Sequence, residues 1–324
     1  MFWQRKRSVE SPQIGCFGKL PATGDFVRMN AGSDELASFG RWFGTGMDFA
    51  QRVLGASFEE AYWTSVGLFI YRGDDRSPDP ARGLVGAWAA SCDRAGRLYP
   101  MMVFASYDYA QLLATGGALP IALWPLLRAA YEAAVAAREL SVDAFVARVS
   151  SIPLPSLEDS GLAAAGYRSW LATQPMRALW DNGFGTDAVR YWVMHNLAAS
   201  LGPFQSQELP RTALALRLPL GAGDAYAASV WIDIAMRLGC WQKTLINAFW
   251  TPQQTLLIHA GQPHPASLRE MIAFSGQADH VADVCHVPPH DVASTRQVLG
   301  ARVDSLVAST EVSIAAFLDG LKGA

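Results

Sequence analysis

The chain has 324 residues, of which 51% are hydrophobic and 17% charged, and its formal net charge at pH 7 is −3. This length and composition suffice for one large globular domain or two ordinary ones with a sizeable core. A weakly acidic chain argues against nucleic acid or an anionic membrane as its main partner. We therefore expect no nucleic-acid binding.

The amino terminus lacks the pattern of a signal peptide. Residues 1–7 are basic, but the segment SVESP at residues 8–12 follows where an apolar core would be needed. The longest apolar run, residues 117–127, contains two prolines and is shorter than the roughly 20 residues of a membrane helix. The 4 cysteines form no CxxC pair, so we expect reduced thiols. These features predict a cytoplasmic protein without membrane insertion.

The most distinctive segment is residues 17–28, with the sequence FGKLPATGDFVR. Its glycines tolerate positive φ, its proline fixes φ, and its aspartate caps turns through the side-chain carboxylate. This combination predicts a shaped loop between the first strand and the first helix. Loops with so prescribed a backbone often carry function.

The first half of the chain predicts both helices and strands. Ser33 is a suitable N-cap for a helix in which apolar residues recur at helical spacing. Two apolar runs on either side of the glycine-containing loop 92–97 predict a β-hairpin. The predicted helices cover residues 34–54, 121–139 and 141–150, and the predicted strands cover residues 65–72, 84–91 and 98–107.

The second half begins after a predicted linker, which contains two prolines and several serines. Its predicted helices cover residues 187–201, 225–238, 265–275 and 291–321, and its predicted strands cover residues 213–218, 244–250 and 255–260. Each half therefore holds a short antiparallel sheet with flanking helices, which is an α+β fold in two parts. We expect the chain to divide into a tail (1–13), an α+β domain (14–150), a linker (151–161) and a second α+β domain (162–324).

Motifs that bind phosphate or present a nucleophile are absent. The sequence contains no GxxxxGK[ST], no GxGxxG and no GxSxG. Five of the 6 histidines lie between residues 259 and 290, near Asp283 and Cys285, and these residue types are zinc ligands. Their irregular spacing, with two prolines between His286 and His290, favours a polar loop over a metal site. We predict no cofactor, no metal and no catalytic residue.

Two aspartates in loops are the most noticeable charged positions. Asp25 follows Gly24 in the first motif, and Asp93 opens the hairpin loop 92–97. Each is expected to accept hydrogen bonds from backbone N–H groups of its own turn. Arg97, at the far end of the hairpin loop, is placed to pair with either. We therefore expect the two loops to pack together, with polar contacts among Asp25, Asp93 and Arg97.

These two segments resemble one known family. The motif FGKLPxxGDFVR at residues 17–28, followed by a helix containing Trp42, resembles the amino-terminal region of TagF, a type VI secretion-associated regulator of Gram-negative bacteria. The segment SCDRAGRLYP at residues 91–100 is similar to a second TagF motif. Ala90 replaces the usual proline and Met101 the usual leucine, which are tolerable changes. The resemblance covers residues 14–107.

The resemblance implies a cytoplasmic, post-translational negative regulator of type VI secretion that is not an enzyme. TagF-like proteins act by binding, notably to an Fha-type scaffold that carries a forkhead-associated domain. Two alternatives stay open. One is a metal-dependent hydrolase that uses the loop aspartates or the histidine-rich segment, and the other is a structural subunit of the secretion apparatus.

The resemblance and the shaped loops together predict the binding residues. They lie in the two motifs and comprise Gly18, Lys19, Pro21, Gly24, Asp25, Phe26, Arg28, Asp93, Gly96 and Arg97.

Overall fold

A computed structural model of the chain describes residues 11–72, 82–158, 160–183, 187–204, 214–220, 225–240, 246–251, 255–274, 281–286 and 291–321. The strands are β1 (Gln13–Lys19), β2 (Phe26–Met29), β3 (Val66–Tyr71), β4 (Arg82–Ala89), β5 (Met101–Asp108), β6 (Leu214–Pro219), β7 (Asn247–Thr251), β8 (Thr255–Ala260) and β9 (Val281–Asp283). Within the described residues they form one sheet in the order β2-β1-β5-β4-β3-β7-β8-β6-β9. Only the β6–β9 pair among them is parallel.

The helices cover both faces of this sheet. They are α1 (Asp34–Leu54), α2 (Phe58–Trp63), α3 (Tyr109–Thr115), α4 (Leu119–Ala122), α5 (Trp124–Ala136), α6 (Val142–Ser150), α7 (Ser160–Thr173), α8 (Met176–Gly183), α9 (Asp187–Leu201), α10 (Ala225–Leu238), α11 (Ala266–Ile272), α12 (Val292–Ala308) and α13 (Ile314–Gly320). The Ser33 hydroxyl caps α1 by accepting a hydrogen bond from the N–H of Leu36.

The central strands are buried on both faces, which explains their nearly continuous apolar sequences. In β3, Leu68 and Ile70 belong to the core beneath α5 and α10, whereas Phe69 and Tyr71 belong to the core beneath α1 and α11. Successive side chains of a strand point to opposite faces, so one sheet supports two separate cores. The result is three layers, with helices on either side of the sheet.

The predicted α+β class is confirmed, and each half contributes its own set of antiparallel strands. The two sets are continuous with each other, because β3 of the first half pairs with β7 of the second through Leu68 and Trp250, Phe69 and Phe249, and Ile70 and Ala248. Residues 151–158 lie outside helices and strands, but Tyr107 donates a hydrogen bond of 3.0 Å to the carbonyl of Pro155. The division into domains near this segment stays a prediction.

Several predicted boundaries need correction. Segment 17–28 is a β-hairpin rather than a loop before the first helix, because Gly18 and Lys19 end β1 and Phe26 begins β2. The helix predicted over 121–139 is interrupted at Leu123, since Pro125 lacks the N–H that would continue the hydrogen-bond ladder. The helix predicted over 291–321 is divided into α12 and α13, with Ser313 capping the second. The sequence patterns do not predict helices α2, α3, α7 and α8 or strands β2 and β9.

Among the described residues no single helix is long and apolar enough to cross a membrane. The bent pair Tyr109–Ala122 and Trp124–Glu139 reaches the required length and apolarity only when its two arms are combined across an angle of 64°.

Candidate functional site

The two distinctive loops lie against each other at one end of the sheet. The N–H of Arg94 in the β4–β5 loop donates to the carbonyl of Thr23 in the β1–β2 loop at 2.9 Å. Nearby, the Ser91 hydroxyl donates to the carbonyl of Lys19 at 2.7 Å. Segments separated by some 70 residues therefore share a hydrogen-bond network, and the predicted packing of the two loops is confirmed.

Asp93 is the centre of this network. Its Oδ2 accepts hydrogen bonds from Lys19 Nζ at 2.9 Å and from Arg97 Nε at 2.7 Å. Its Oδ1 accepts from the backbone N–H groups of Ala95 at 2.9 Å and Arg97 at 3.0 Å. Two cations and two turn amides thus share one carboxylate, which both closes its own turn and ties that turn to β1.

The Asp93 carboxylate is held in its charged form. The side chain is fully buried, and Lys19 is nearly so. The hydrogen bond from Lys19 holds the pKa of Asp93 well below its usual range, aided by those from Arg97 and Ala95 and opposed by burial. A carboxylate that is charged and occupied on both oxygens is a poor proton acceptor, so its contacts fit a structural role.

Arg97 connects the buried carboxylate with the surface. Its Nε contacts Asp93, and its Nη2 donates to the carbonyl of Gly24 at 3.0 Å, yet its side chain is 66% exposed. Gly96, immediately before it, has φ of 80°, a left-handed conformation that favours glycine. The turn therefore directs Arg97 back across the β1–β2 loop.

Close backbone contact explains Gly18. A Cβ atom at this position would lie 2.2 Å from the Pro100 carbonyl oxygen, so only glycine allows β1 to lie this near the start of β5.

Tyr62 of α2 supports the same end of the sheet, because its hydroxyl donates to the Ser91 carbonyl at 2.8 Å and accepts from the Ser91 N–H at 3.0 Å.

An aromatic group with cations lies beside this network. The rings of Phe17 and Phe26 stack with centroids 5.1 Å apart, and Tyr99 meets them edge-on at 5.8 Å and 5.1 Å respectively. The Arg28 guanidinium carbon lies 5.5 Å from the centre of the Phe17 ring, and Lys19 Nζ lies 5.3 Å from that of Phe26. Both distances are within the range of cation–π attraction.

The comparison with known families decides the identity of this region. A profile of the TagF N-terminal domain, described as type VI secretion system-associated, matches residues 15–152. The chain therefore carries a TagF N-terminal domain. The predicted resemblance to the TagF family is confirmed, and all the predicted binding residues lie inside the matched region.

One solved structure shows a distant similarity to this chain. The crystal structure of PA0076 from Pseudomonas aeruginosa PAO1 has 21% sequence identity and a TM-score of 0.37, covering 48% of this chain and 78% of that chain. A likeness this distant supports no statement about function. The comparison with curated proteins returned no match.

The structure of the TagF domain brings most of the predicted residues together, with one correction. The predicted pair between Asp93 and Arg97 is present, but Asp25 takes no part in it. The Asp25 side chain is exposed, and among the described residues its carboxylate has no hydrogen-bond or ion-pair partner; the carbonyl of Gly24 contacts Arg97 instead. Pro21 lies in the turn after β1, half-buried.

Part of the site leaves no local signal in the amino-acid sequence. The pairing of Lys19 with Asp93 depends on a contact across 74 residues, which no local pattern indicates. The association of Phe17 with Phe26 follows from the register of β1 and β2, where Phe17 lies opposite Arg28 and Lys19 opposite Phe26. Tyr99 joins these rings from the loop before β5. The period-2 spacing of the large side chains Phe26 and Arg28 is the available local signal.

The histidine-rich segment lies outside the TagF domain. Within the part of the chain that the structure describes, no three His, Cys, Asp or Glu residues gather as a metal site would require. His280 and His290 lie outside the described residues. His259 is fully buried in β8.

Proposed function

We propose that this protein is a post-translational negative regulator of type VI secretion that acts in the cytoplasm by binding a component of the secretion apparatus, such as an Fha-type forkhead-associated scaffold. The TagF domain, whose family is type VI secretion-associated, is the observation that carries this proposal. The proposal extends that association to a direction of control and to a partner.

The chemistry of the loop network favours binding over catalysis. Asp93 accepts four hydrogen bonds and is kept ionised, so no free general base is formed there. The same contacts fix the two loops, and a fixed surface loses little conformational entropy when a partner binds. This end of the sheet is therefore better suited to recognition than to turnover.

A binder of this kind represses by mass action. A scaffold held by the regulator is withdrawn from assembly in proportion to the ratio of free regulator to its dissociation constant. At a free concentration of about ten times the dissociation constant, roughly one scaffold in eleven remains available. Repression therefore depends on the stoichiometry of the two proteins.

Overproduction in a bacterium with an active secretion system tests the proposal. We expect secretion to fall while the cellular levels of the secretion proteins stay constant, because the effect is exerted on assembled or assembling components. Co-overproduction of the scaffold should restore secretion by titrating the regulator. Secreted and cellular protein levels, followed by immunoblot, provide the measurement, and an unrelated protein overproduced to the same level is the control.

The alternatives give different results. An enzyme turns over many copies of its target, so repression that persists under a large excess of scaffold would favour the hydrolase. A structural subunit is needed for assembly, so loss of secretion on deletion of the gene would favour that alternative. Increased secretion on deletion is the result expected of a repressor.

A further inference from the structure

At one corner of the TagF domain, the exposed Phe26 ring lies beside two half-buried rings and near two exposed guanidinium groups. We define it as the cation–aromatic face, made of Phe17, Phe26, Arg28, Arg97 and Tyr99. Phe26 is 37% exposed, and Arg28 and Arg97 are exposed as well. Exposed apolar surface rimmed by polar side chains commonly marks an interaction site.

Strand geometry places Phe26 and Arg28 on the same side of the sheet. They are two residues apart in β2, which ends the sheet, and Val27 between them points to the opposite core. Phe17 and Tyr99 are packed against the core on the α1 side, which fixes the ring stack from beneath. Two of the three rings are therefore held in place before a partner arrives, which reduces the side-chain entropy lost on binding.

The charge of the face is opposite to that of the chain. Segments 17–28 and 91–100 carry four basic and two acidic side chains, a net charge of +2, whereas the chain as a whole has −3. Asp93 is buried and shared by Lys19 and Arg97, so Asp25 is the exposed acidic side chain of these segments. The surface presented to a partner is consequently cationic.

The guanidinium groups retain unused donors. Among the described residues Arg28 contacts the Phe17 and Phe26 rings and no carboxylate. Arg97 uses Nε and Nη2 within the network, which leaves the Nη1 protons. A guanidinium that lies against a ring is partly desolvated and already oriented, which strengthens its hydrogen bonds to carboxylate oxygens.

We propose that the cation–aromatic face binds an acidic segment of a partner protein, with aspartate or glutamate carboxylates on Arg28 and Arg97 and an apolar side chain against the Phe26 ring. The inference rests on the proposed function, since it names the surface and the chemistry by which the regulator would hold its partner.

Binding of the purified full-length protein to a labelled peptide of alternating glutamate and leucine tests this face. The matched probe has glutamine in place of glutamate. We expect the acidic peptide to bind and the neutral one to bind at least tenfold more weakly. Raising the salt concentration from 50 to 300 mM should weaken the acidic complex severalfold, because the charges are exposed. Equal binding of both peptides, or of neither, overturns the inference.

Arg28→Glu is the decisive variant, since Arg28 takes no part in the Asp93 network. We expect Arg28→Glu to lower the affinity for the acidic peptide roughly tenfold. Arg28→Lys should have an intermediate affinity, because lysine keeps the positive charge but lacks the planar guanidinium that donates two parallel hydrogen bonds. Phe26→Ala should also weaken binding without changing the charge. The matched control is Arg52→Glu, at the exposed end of α1 and about 18 Å along that helix from Gly40, which lies beside Tyr99. Arg52→Glu should bind as the unaltered protein does.

The same variants separate the inference from the proposed function in cells. If the unaltered protein represses secretion and a folded Arg28→Glu variant represses equally, the cation–aromatic face is not the binding surface, whereas the proposed regulatory function is supported. If the unaltered protein binds the acidic peptide through Arg28 but leaves secretion unchanged, the proposed regulatory function is wrong, whereas the cation–aromatic face is supported as a binding surface. Circular dichroism of each variant verifies folding.

Discussion

At the scale of single residues, the buried pair of Lys19 and Asp93, together with the mostly exposed Arg97, determines how the two loops meet. Removing water from charged groups is costly, and the cost is offset only when each group is paired and hydrogen-bonded. Lys19 has Asp93 as a partner, and Arg97 keeps most of its side chain in water. Asp93 is therefore the residue whose loss leaves a buried charge without compensation.

Asp93→Asn should lower the stability of the protein most strongly near neutral pH. The pKa of Asp93 is depressed in the folded protein, so its contribution is complete above the ordinary value of 3.8 and is lost as the pH falls below it. The difference between the unaltered protein and Asp93→Asn in urea midpoint should therefore be constant from pH 7 to 5 and shrink below about pH 4.

Asp25→Asn is the control for this experiment, because its carboxylate is exposed and has no hydrogen-bond or ion-pair partner among the described residues. We expect its urea midpoint at pH 7 to stay close to that of the unaltered protein. A stability difference for Asp93→Asn that is the same at pH 7 and pH 3 would contradict the role assigned to the charged form.

At the scale of secondary-structure elements, strand β8 carries an unusual buried histidine. His259 is fully buried, lies edge-on to Phe249 at 5.4 Å, and has no hydrogen-bond partner for either ring nitrogen among the described residues. Burial, with a smaller effect of nearby His264, lowers the pKa of His259 to about 3. The imidazole is therefore neutral in the folded protein.

His259 should make the protein less stable as the pH falls below 6.5. The unfolded chain binds a proton there and the folded chain does not, so unfolding becomes easier by about 1.4 kcal/mol per pH unit, or roughly 2 kcal/mol at pH 5. His259→Leu and His259→Phe should remove this dependence, as measured by urea unfolding between pH 7 and 5. If both variants fold and keep the pH slope of the unaltered protein, another group is responsible.

The elements also show what sequence patterns could and could not predict. The predicted bounds of helix α1 agree with the observed ones at both ends, because Ser33 supplies an N-cap and the helix has a long apolar stripe. The sequence does not indicate strand β2, because the strand has four residues and directly follows the turn residues Gly24 and Asp25. The turn of Asp93 and Arg97 was accessible from local spacing, whereas the partnership with Lys19 required the pairing of β1 with β5.

At the scale of the whole molecule, the seam between β3 and β7 joins the two halves. Each half was predicted to hold a sheet of its own, and edge pairing between distant strands leaves no local signal. Rings cross the seam on the α1 side: Phe249 of β7 stacks on Trp42 at 4.9 Å and lies 6.4 Å from Phe39. The buried amide of Asn247 strengthens it by accepting a hydrogen bond from the N–H of Arg72 at 2.7 Å.

This continuity predicts that both halves unfold together. Phe249→Ala removes a fully buried ring at the seam, so we expect a loss of about 3–5 kcal/mol in the free energy of unfolding. Because the ring packs against residues of both halves, hydrogen exchange in β4 and β5 should quicken together with that in β7 and β8. Leu162→Ala, which truncates a side chain that is 84% exposed, should change stability by about 0.5 kcal/mol or less. Faster exchange confined to the second half would show that the seam does not couple them.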